Sequence, residues 1–207
     1  RQMCIRDRYN VPITALKVKK ETMNAIFEVG VDAFGQMDRS LEVIKPDISV
    51  ITAICPVHTE KDQLESLEGV VLEKRKAVEI LNKDQYAVLN YDDINVRGMS
   101  EVTEAKVLFY GTDKDKCAVY FTDCKIDSNG TRFKIVVKEK YFRSGLTRRD
   151  DKKKSSKNAV SEDLKSSTLS SKGNKVKIYD IKTKLYGYHH AYNILSLIHI
   201  SEPTRPY

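Results

Sequence analysis

Long apolar runs and a signal peptide are both missing from this sequence. In 207 residues no stretch approaches the roughly 20 apolar residues that a membrane span requires. The first residues, RQMCIRDR, lack the apolar segment of a secretory leader. We therefore expect a soluble, cytoplasmic protein with no membrane partner.

Cysteine is scarce as well, and its spacing excludes a common metal motif. Cys4, Cys55, Cys117 and Cys124 lack the close paired spacing that holds zinc. Because free cysteine usually behaves as a small apolar residue, we expect buried or half-buried reduced thiols.

Net positive charge is absent from the body of the chain, although the net charge of the whole is +7. Residues 1–8 carry +2 and residues 147–175 carry +5, so the remainder is neutral overall. The second segment holds seven Ser and seven Lys without interleaved aromatic residues, so it attracts phosphate but offers no base stacking. We expect no nucleic-acid partner. A non-catalytic basic binding module built on residues 147–175 remains the alternative from another class.

What the sequence does contain is a strand and helix alternation, within 41% hydrophobic residues. Two β-branched runs, residues 24–30 and 48–54, predict strands, and an intervening apolar stripe closed by Pro46 predicts a helix. A second helix is predicted from Ser66, and residues 86–90 predict a third strand. This order indicates an α/β fold with a doubly wound, mostly parallel sheet.

After residue 100 the pattern changes to successive strands, predicted at 106–110, 117–126 and 131–137. The last two are joined by Asp-Ser-Asn-Gly, which predicts a hairpin and an antiparallel extension of the sheet. Residues 147–175 have few apolar side chains and predict a solvated, mobile insertion. Regular structure is expected again near residue 176, with a final helix at 188–200.

Four polar side chains stand where such a sheet binds ligands, at or after the strand ends. They are Glu28, His58, and Lys74 and Lys76 on the helix that follows. A carboxylate and an imidazole there can bind Mg²⁺ and phosphate oxygens. A solvated strand-end carboxylate and an ordinary surface histidine are the open alternatives.

Several ordered strings resemble the central, ATP-using domain of the Mur ligase family. These strings are FEVGVDAFGQMDRSLEVIKPDISVITAICPVH (27–58), SLEGVVLEKRKAVEIL (66–81), AVLNYDD (87–93), DCKIDSNGTRFKI (123–135) and LYGYHHAYNIL (185–195). Within the family they are most similar to members that add D-Ala-D-Ala to a UDP-muramoyl tripeptide.

The resemblance implies metal-binding and catalytic roles for three residues. Glu28 matches the glutamate that binds the Mg²⁺ bridging the ATP phosphates, and His58 matches the histidine that helps hold a second Mg²⁺. Lys74 matches the lysine that is carbamylated in many members, with Lys76 as the competitor for that role. Lys74 and His58 are therefore the implied catalytic residues.

The resemblance also implies a nucleotide site. Asn90, Asp92 and Asp93 match the family's Asn-x-Asp-Asp string near the nucleotide, and Asn193 matches the asparagine that contacts adenine. The implied activity is ATP-dependent amide formation through an acyl phosphate, by a monomer acting on small-molecule substrates. Other Mur-type ligases remain the alternative, including amino-acid-adding enzymes, cyanophycin synthetase and the folylpolyglutamate enzyme.

One element of the family pattern is missing from the sequence. The Gly-rich loop that ends in Gly-Lys-Thr/Ser would lie before residue 9, so we expect the fragment itself to be inactive. Both ends of the chain resemble translated adapter DNA. The expected organisation is a non-native tail (1–8), a partial central domain (9–146), an insertion (147–175), the end of the central domain (176–195) and a second non-native tail (196–207).

Overall fold

The computed structural model describes residues 10–22, 24–56, 63–141, 166–171 and 174–201. Within them lie α-helices and β-strands, numbered here in chain order. The helices are α1 (Asn10–Ala15), α2 (Gln36–Val43), α3 (Leu67–Glu79), α4 (Ile94–Gly98) and α5 (Tyr188–Ser201). The strands are β1 (Ile48–Ile51), β2 (Tyr86–Asn90), β3 (Lys106–Gly111), β4 (Val119–Asp127), β5 (Gly130–Lys138), β6 (Ser166–Ser171) and β7 (Asn174–Thr183).

The strands form a mixed sheet in the order β1-β2-β3-β4-β5-β7-β6. β1 and β2 are parallel, as are β3 and β4, whereas β5 is antiparallel to both β4 and β7, and β6 is antiparallel to β7. The carbonyl of Gln85 accepts from the amide of Lys106, and the amide of Tyr91 donates to the carbonyl of Tyr110, so β2 and β3 also run parallel. The predicted α/β fold with an antiparallel extension is confirmed.

The described chain divides into two compact units. The first contains residues 1–89 and 93–107, and the second contains residues 90–92 and 108–207, in each case over the described parts. The division cuts across β2 and β3, each of which contributes residues to both units.

The first unit is built on the crossover β1–α3–β2. Ser66 caps α3 by accepting a hydrogen bond from the amide of Gly69 at 3.1 Å, as the sequence predicts. The hydroxyl of Ser49 in β1 donates to the carbonyl of Ala77 in α3 at 2.6 Å. The core of this unit is made of fully buried apolar side chains, each of which contributes roughly 1.5–3 kcal/mol; they include Leu64, Val70, Val78, Val88, Leu89, Val96 and Met99.

The second unit is built on the antiparallel strands. β4 and β5 form the predicted hairpin, with Asp127 paired to Gly130. A bulge lies between Thr122 and Lys125, and Asp123 there adopts a left-handed φ of 55°. The helix α5 contacts β4 and β5, and its buried residues Ala191 and Leu195 complete the core together with Phe121, Phe133, Ile135 and Val137.

The strand predicted at residues 24–30 is absent, because these residues form no strand in the structure. Their side chains are exposed or half-buried, whereas an apolar strand is stabilised by pairing and by burial of its faces. The predicted crossover between residues 24 and 54 is therefore wrong. The neighbouring predictions are confirmed, since α2, β1, α3 and β2 all occur at the expected places.

The prediction that residues 147–175 form a mobile insertion is wrong for part of that segment. Residues 166–171 form β6, which pairs with β7 from Ser166↔Tyr179 to Ser171↔Asn174. A strand at the edge of a sheet is held by its backbone hydrogen bonds, so a Ser-rich segment can form one despite having few apolar side chains. Residues 147–165 and 172–173 lie outside the described residues, as do the first nine residues and residues 202–207. The final helix is confirmed and extends to Ser201.

The cysteines differ in exposure. Cys117 is buried and Cys124 is half-buried, but Cys55 is exposed, which contradicts the expectation for that residue. Cys55 lies four residues after Ile51, the last residue of β1. Cys4 lies outside the described residues. No helix in the described part of the chain is both long and apolar enough to cross a membrane.

Candidate active site

Lys74 lies on α3 and reaches the end of β1. Its amine donates to the carbonyl of Ala53 at 3.5 Å, a long hydrogen bond. Ala53 comes two residues after the last residue of β1, Ile51. The structure therefore places the amine of Lys74 beside the carboxyl end of a parallel strand, where doubly wound folds bind their ligands.

Lys76 lies in a different environment. Its ammonium contacts Asp38 Oδ2 at 2.6 Å and Glu73 Oε2 at 2.7 Å. The hydrogen bonds to Asp38 and Glu73, in that order, raise the pKa of Lys76 above its usual value. Glu73 is itself fully buried, and its Oε1 accepts from the amide of Met37 at 2.8 Å. These groups tie α2 to α3, and we call them the Glu73 cluster (Glu73, Lys76, Asp38 and the Met37 amide).

Of the other two members of the predicted metal site, only Glu28 lies within the described residues. Glu28 is exposed on the irregular segment 24–30, and not at the end of a strand. His58 lies outside the described residues. Among the residues that are described, no group of three or more His, Cys, Asp or Glu side chains is arranged to hold a metal ion. Convergence of Glu28, His58 and Lys74 stays a prediction.

Asp93 follows β2 and begins α4. Its Oδ1 accepts from the amides of Asn95 and Val96 at 2.9 and 3.2 Å, which makes it the N-cap of the helix. Its Oδ2 accepts from the amide of Ile54 at 2.8 Å. The carboxylate thus joins the segment after β1 to the start of α4 through three backbone donors.

Asp92 has a separate set of partners. Its Oδ2 accepts from the amide of Thr112 at 2.8 Å and from the hydroxyl of Tyr192 at 2.9 Å, and its Oδ1 lies 3.0 Å from the Thr112 hydroxyl. Its own amide donates to Oδ1 of Asn90, which is buried at the end of β2, at 3.0 Å. We call this set the Asp92 cluster (Asp92, Thr112, Tyr192 and Asn90).

Asn193 is the next residue after Tyr192 on α5. Its side chain is exposed, whereas Ala191 and Leu195 on the same helix are fully buried. The Tyr192 ring meets Phe121 of β4 edge to face, with centroids 5.1 Å apart. Burial, then the hydrogen bond to Asp92, raises the pKa of Tyr192 well above its usual value, so the hydroxyl is a stable donor.

Sequence reasoning missed Glu73, Thr112 and Tyr192. Glu73 had a detectable signal, since it lies three residues after Val70 and four before Ala77 on the apolar stripe of α3. A carboxylate at such a position must be paired when it is buried. Thr112 and Tyr192 had no comparable signal, because Asp92 lies 20 and 100 residues away from them in the chain.

A mixed sheet whose parallel strands are joined through helices defines an α/β domain of the doubly wound class. The family model for the Mur ligase middle domain matches residues 2–200. The chain therefore belongs to the Mur ligase middle-domain family.

Relatives in that family are considerably longer than this chain. UDP-N-acetylmuramoyl-tripeptide–D-alanyl-D-alanine ligase from Buchnera aphidicola is 25% identical over 131 residues, which is 62% of this chain and 28% of that protein. UDP-N-acetylmuramoylalanine–D-glutamate ligase from Staphylococcus epidermidis is 33% identical over 92 residues, 44% of this chain and 20% of that protein.

The fold comparison agrees with the sequence comparison. The crystal structure of MurF from Acinetobacter baumannii superimposes with a TM-score of 0.65 at 14% identity, over 92% of this chain and 33% of that one. This likeness concerns the fold, and it confirms the predicted central-domain architecture.

Proposed function

We propose that the protein carrying this chain is an ATP-dependent ligase of peptidoglycan-precursor synthesis that joins D-Ala-D-Ala to a UDP-N-acetylmuramoyl tripeptide. Family membership and the relative that bears this name support the proposal. The structural observation that carries it is the amine of Lys74, which lies beside the end of β1 and so within reach of a ligand bound at the sheet edge.

The reaction needs an activated carboxylate. The terminal carboxylate oxygen of the tripeptide attacks the γ-phosphorus of ATP, and ADP leaves. The amine of D-Ala-D-Ala then attacks the acyl carbon, a C–N bond forms, the C–O bond to phosphate breaks, and the amine loses a proton. Because the attacking carboxylate and the phosphate are both negative, groups that neutralise charge there lower the barrier.

Glu28, His58 and Lys74 are proposed to hold Mg²⁺ in this enzyme. A carboxylate oxygen suits Mg²⁺, and the exposed Glu28 is accessible to it. When bound, the ion would supply positive charge to the phosphate oxygens. The described residues do not complete such a site by themselves, since His58 lies outside them.

We assign the carbamylated lysine to position 74 and not to position 76. Carbamylation requires a neutral amine, which attacks CO₂, forms an N–C bond and releases a proton. The ammonium of Lys76 is paired with two carboxylates, and its raised pKa keeps it protonated. Loss of that charge would also leave the buried Glu73 without its cation.

The ATP site is proposed to involve Asn90, Asp92, Asp93 and Asn193. Asn193 is exposed on α5 and stands where the family resemblance implies an adenine contact, and the carboxylates of Asp92 and Asp93 accept hydrogen bonds from the protein. We therefore propose that Asn193 contacts the nucleotide directly and that the two aspartates shape its surroundings.

Chemical rescue in the full-length enzyme tests the function and the lysine assignment together. Lys74→Ala should lower kcat strongly, because an anionic group that acts in the transition state is lost. Short-chain carboxylic acids such as acetate should restore part of the activity by filling the vacated space.

The matched control is Lys76→Ala, which lies on the same helix. It should lose stability and gain nothing from added acetate. Rescue of Lys76→Ala alone would move the assignment to that residue, and full activity in both variants would remove the carbamate. Absence of D-Ala-D-Ala-dependent ADP release in the wild-type enzyme would refute the function itself.

The runner-up is a Mur ligase with another acceptor. It is favoured by the D-glutamate-adding relative, whose identity over 92 residues is 33%. Assays with D-Ala-D-Ala, D-glutamate and other amino acids, each with the matching UDP-muramoyl substrate, separate the two. ADP release specific to D-glutamate would select the runner-up.

A further inference from the structure

The Asp92 cluster connects three separate parts of the second unit. Asp92 follows β2, Thr112 follows β3, and Tyr192 lies in the first turns of α5. All three hydrogen bonds to the carboxylate are between 2.8 and 3.0 Å long. A carboxylate with this many ordered donors is held in one orientation.

The backbone next to Thr112 leaves room for this contact. A Cβ built on Gly111 would lie 2.6 Å from Asp92 Oδ2, which is closer than real Cβ atoms approach an oxygen. Any larger residue at position 111 would displace the carboxylate. Glycine at the end of β3 is therefore what lets Asp92 approach the Thr112 amide.

Among the described residues, the hydrogen-bond partners of the Asp92 carboxylate are neutral donors. A carboxylate without a cation repels phosphate groups, so Asp92 is poorly suited to contact the triphosphate directly. Its hydrogen bonds instead face the protein. This argues that Asp92 acts through the segments it holds, and one of them is α5, on which the exposed Asn193 lies next to the contact.

On α5 the anchored residue and the exposed amide are adjacent. Tyr192 is fixed at its ring by Phe121 and at its hydroxyl by Asp92. Asn193 follows directly and is exposed. An amide side chain can accept from N6 of adenine and donate to N7, a pairing that depends on orientation. The rotation of α5 therefore determines whether that pairing can form.

We infer that Asp92 and Tyr192 are positioning residues, which fix α5 so that Asn193 recognises the adenine base of the nucleotide. The inference rests on the proposed function. It assigns base recognition to a hydrogen bond between Tyr192 and Asp92 that itself does not touch the ligand. The loss of that bond should weaken nucleotide binding and base selectivity without changing the chemical step.

The test is Tyr192→Phe in the full-length enzyme, which removes one hydroxyl and keeps the ring against Phe121. We expect KM for ATP to rise about fivefold, the value for one lost hydrogen bond, with kcat and the KM of D-Ala-D-Ala unchanged. The preference for ATP over GTP, measured as a ratio of kcat/KM values, should fall by a similar factor.

Asp92→Asn changes the acceptor of the same hydrogen bond. Together with Tyr192→Phe and the double variant it forms a double-mutant cycle. If both residues act through one bond, Tyr192→Phe should add little to the effect of Asp92→Asn. The matched control is Tyr186→Phe, whose hydroxyl donates to the carbonyl of Ser128 at 2.7 Å in the same unit. That variant should leave KM for ATP and base preference unchanged.

Direct binding of a non-hydrolysable ATP analogue, measured by calorimetry, distinguishes a failure of the positioning inference from a failure of the proposed function. An enzyme that ligates a different acceptor, but whose Tyr192→Phe variant binds the ATP analogue more weakly, would refute the proposed acceptor and support the inference. Unchanged ATP affinity and unchanged base preference in Tyr192→Phe would overturn the inference while the ligase activity stands. A wild-type enzyme that binds no ATP would overturn both.

Discussion

The Glu73 cluster and the Asp92 cluster both use a carboxylate to join segments that are distant in the chain, but their partners differ. Glu73 is fully buried and pairs with an ammonium and a backbone amide. Asp92 is surrounded by neutral donors, and its hydrogen bonds to Thr112 and Tyr192 lie near the surface.

The difference affects what happens when each carboxylate is removed. A buried donor left without an acceptor pays its full desolvation cost, whereas an exposed donor can bond to water. We therefore expect the Glu73 cluster to matter mainly for stability. The Asp92 cluster should matter less for stability and more for where α5 places its exposed side chains.

The largest effect is expected from Glu73→Ala. The change leaves the Met37 amide unpaired, removes one of two carboxylates from Lys76 and creates a cavity. We expect a loss of about 3 kcal/mol in the free energy of unfolding, measured by urea denaturation. Glu79→Ala, which removes an exposed partner of Arg75 on the same helix, should cost less than about 0.5 kcal/mol. Equal losses in the two variants would contradict this account.

A smaller effect is expected from Asp92→Ala. Three hydrogen bonds are lost, but the Thr112 and Tyr192 donors can turn to water, so we expect about 1–2 kcal/mol in the same urea experiment. Thr112→Val keeps the backbone bond and should cost less than half as much. If Asp92→Ala is as costly as Glu73→Ala, the contrast between the clusters is wrong.

The smallest expected effect concerns how the free energy of unfolding depends on pH, and it comes from Cys117 in the second unit rather than from Lys76 in the first. Burial, then the negative charges of Asp92 and Asp113, raises the pKa of Cys117 from 9.0 to about 12. A raised pKa means that the contribution of the neutral thiol is complete below pH 9.0 and is lost as pH rises toward 12. By pH 10 the ionisation of this thiol in the unfolded state should lower the free energy of unfolding by about 1 kcal/mol.

Cys117→Ala should therefore flatten the loss of stability between pH 8.5 and 10, measured by urea denaturation with a reducing agent present. Lys76, whose usual pKa is 10.5, also has a raised pKa, so its contribution is lost only at higher pH. Lys76→Met should accordingly leave that interval unchanged. A slope removed by Lys76→Met and not by Cys117→Ala would reverse the assignment.

Much of the fold could be predicted because the decisive signals are local. Ser66 and Gly69 mark the start of α3 within a single turn, and the Asn-Gly of the β4–β5 hairpin lies between two alternating runs. Residues 24–30 carry similar apolar character but form no strand, because pairing depends on a neighbour that local sequence does not specify.

The site was less accessible to prediction for the same reason. Resemblance identified Lys74, Asp92 and Asn193 as residues of interest, but not what holds them in place. The hydrogen bond between Asp92 and Tyr192 joins residues 100 positions apart in the sequence, so no local pattern predicts it. The resemblance favours Lys74 over Lys76, and the structure adds support to that proposal, because Asp38 and Glu73 pair with Lys76.

The rotation between successive residues of α3 sets the directions in which its two lysines project. Successive residues of an α-helix are rotated by about 100°, so Lys76 projects about 60° from Glu73, on the same side of the axis. Lys74 and Lys76 are rotated by about 200° and point in nearly opposite directions. One face of a single helix thus presents an ammonium that anchors α2, while the other presents an amine to the end of β1. Substitutions that alter one face leave the amine on the other face in place.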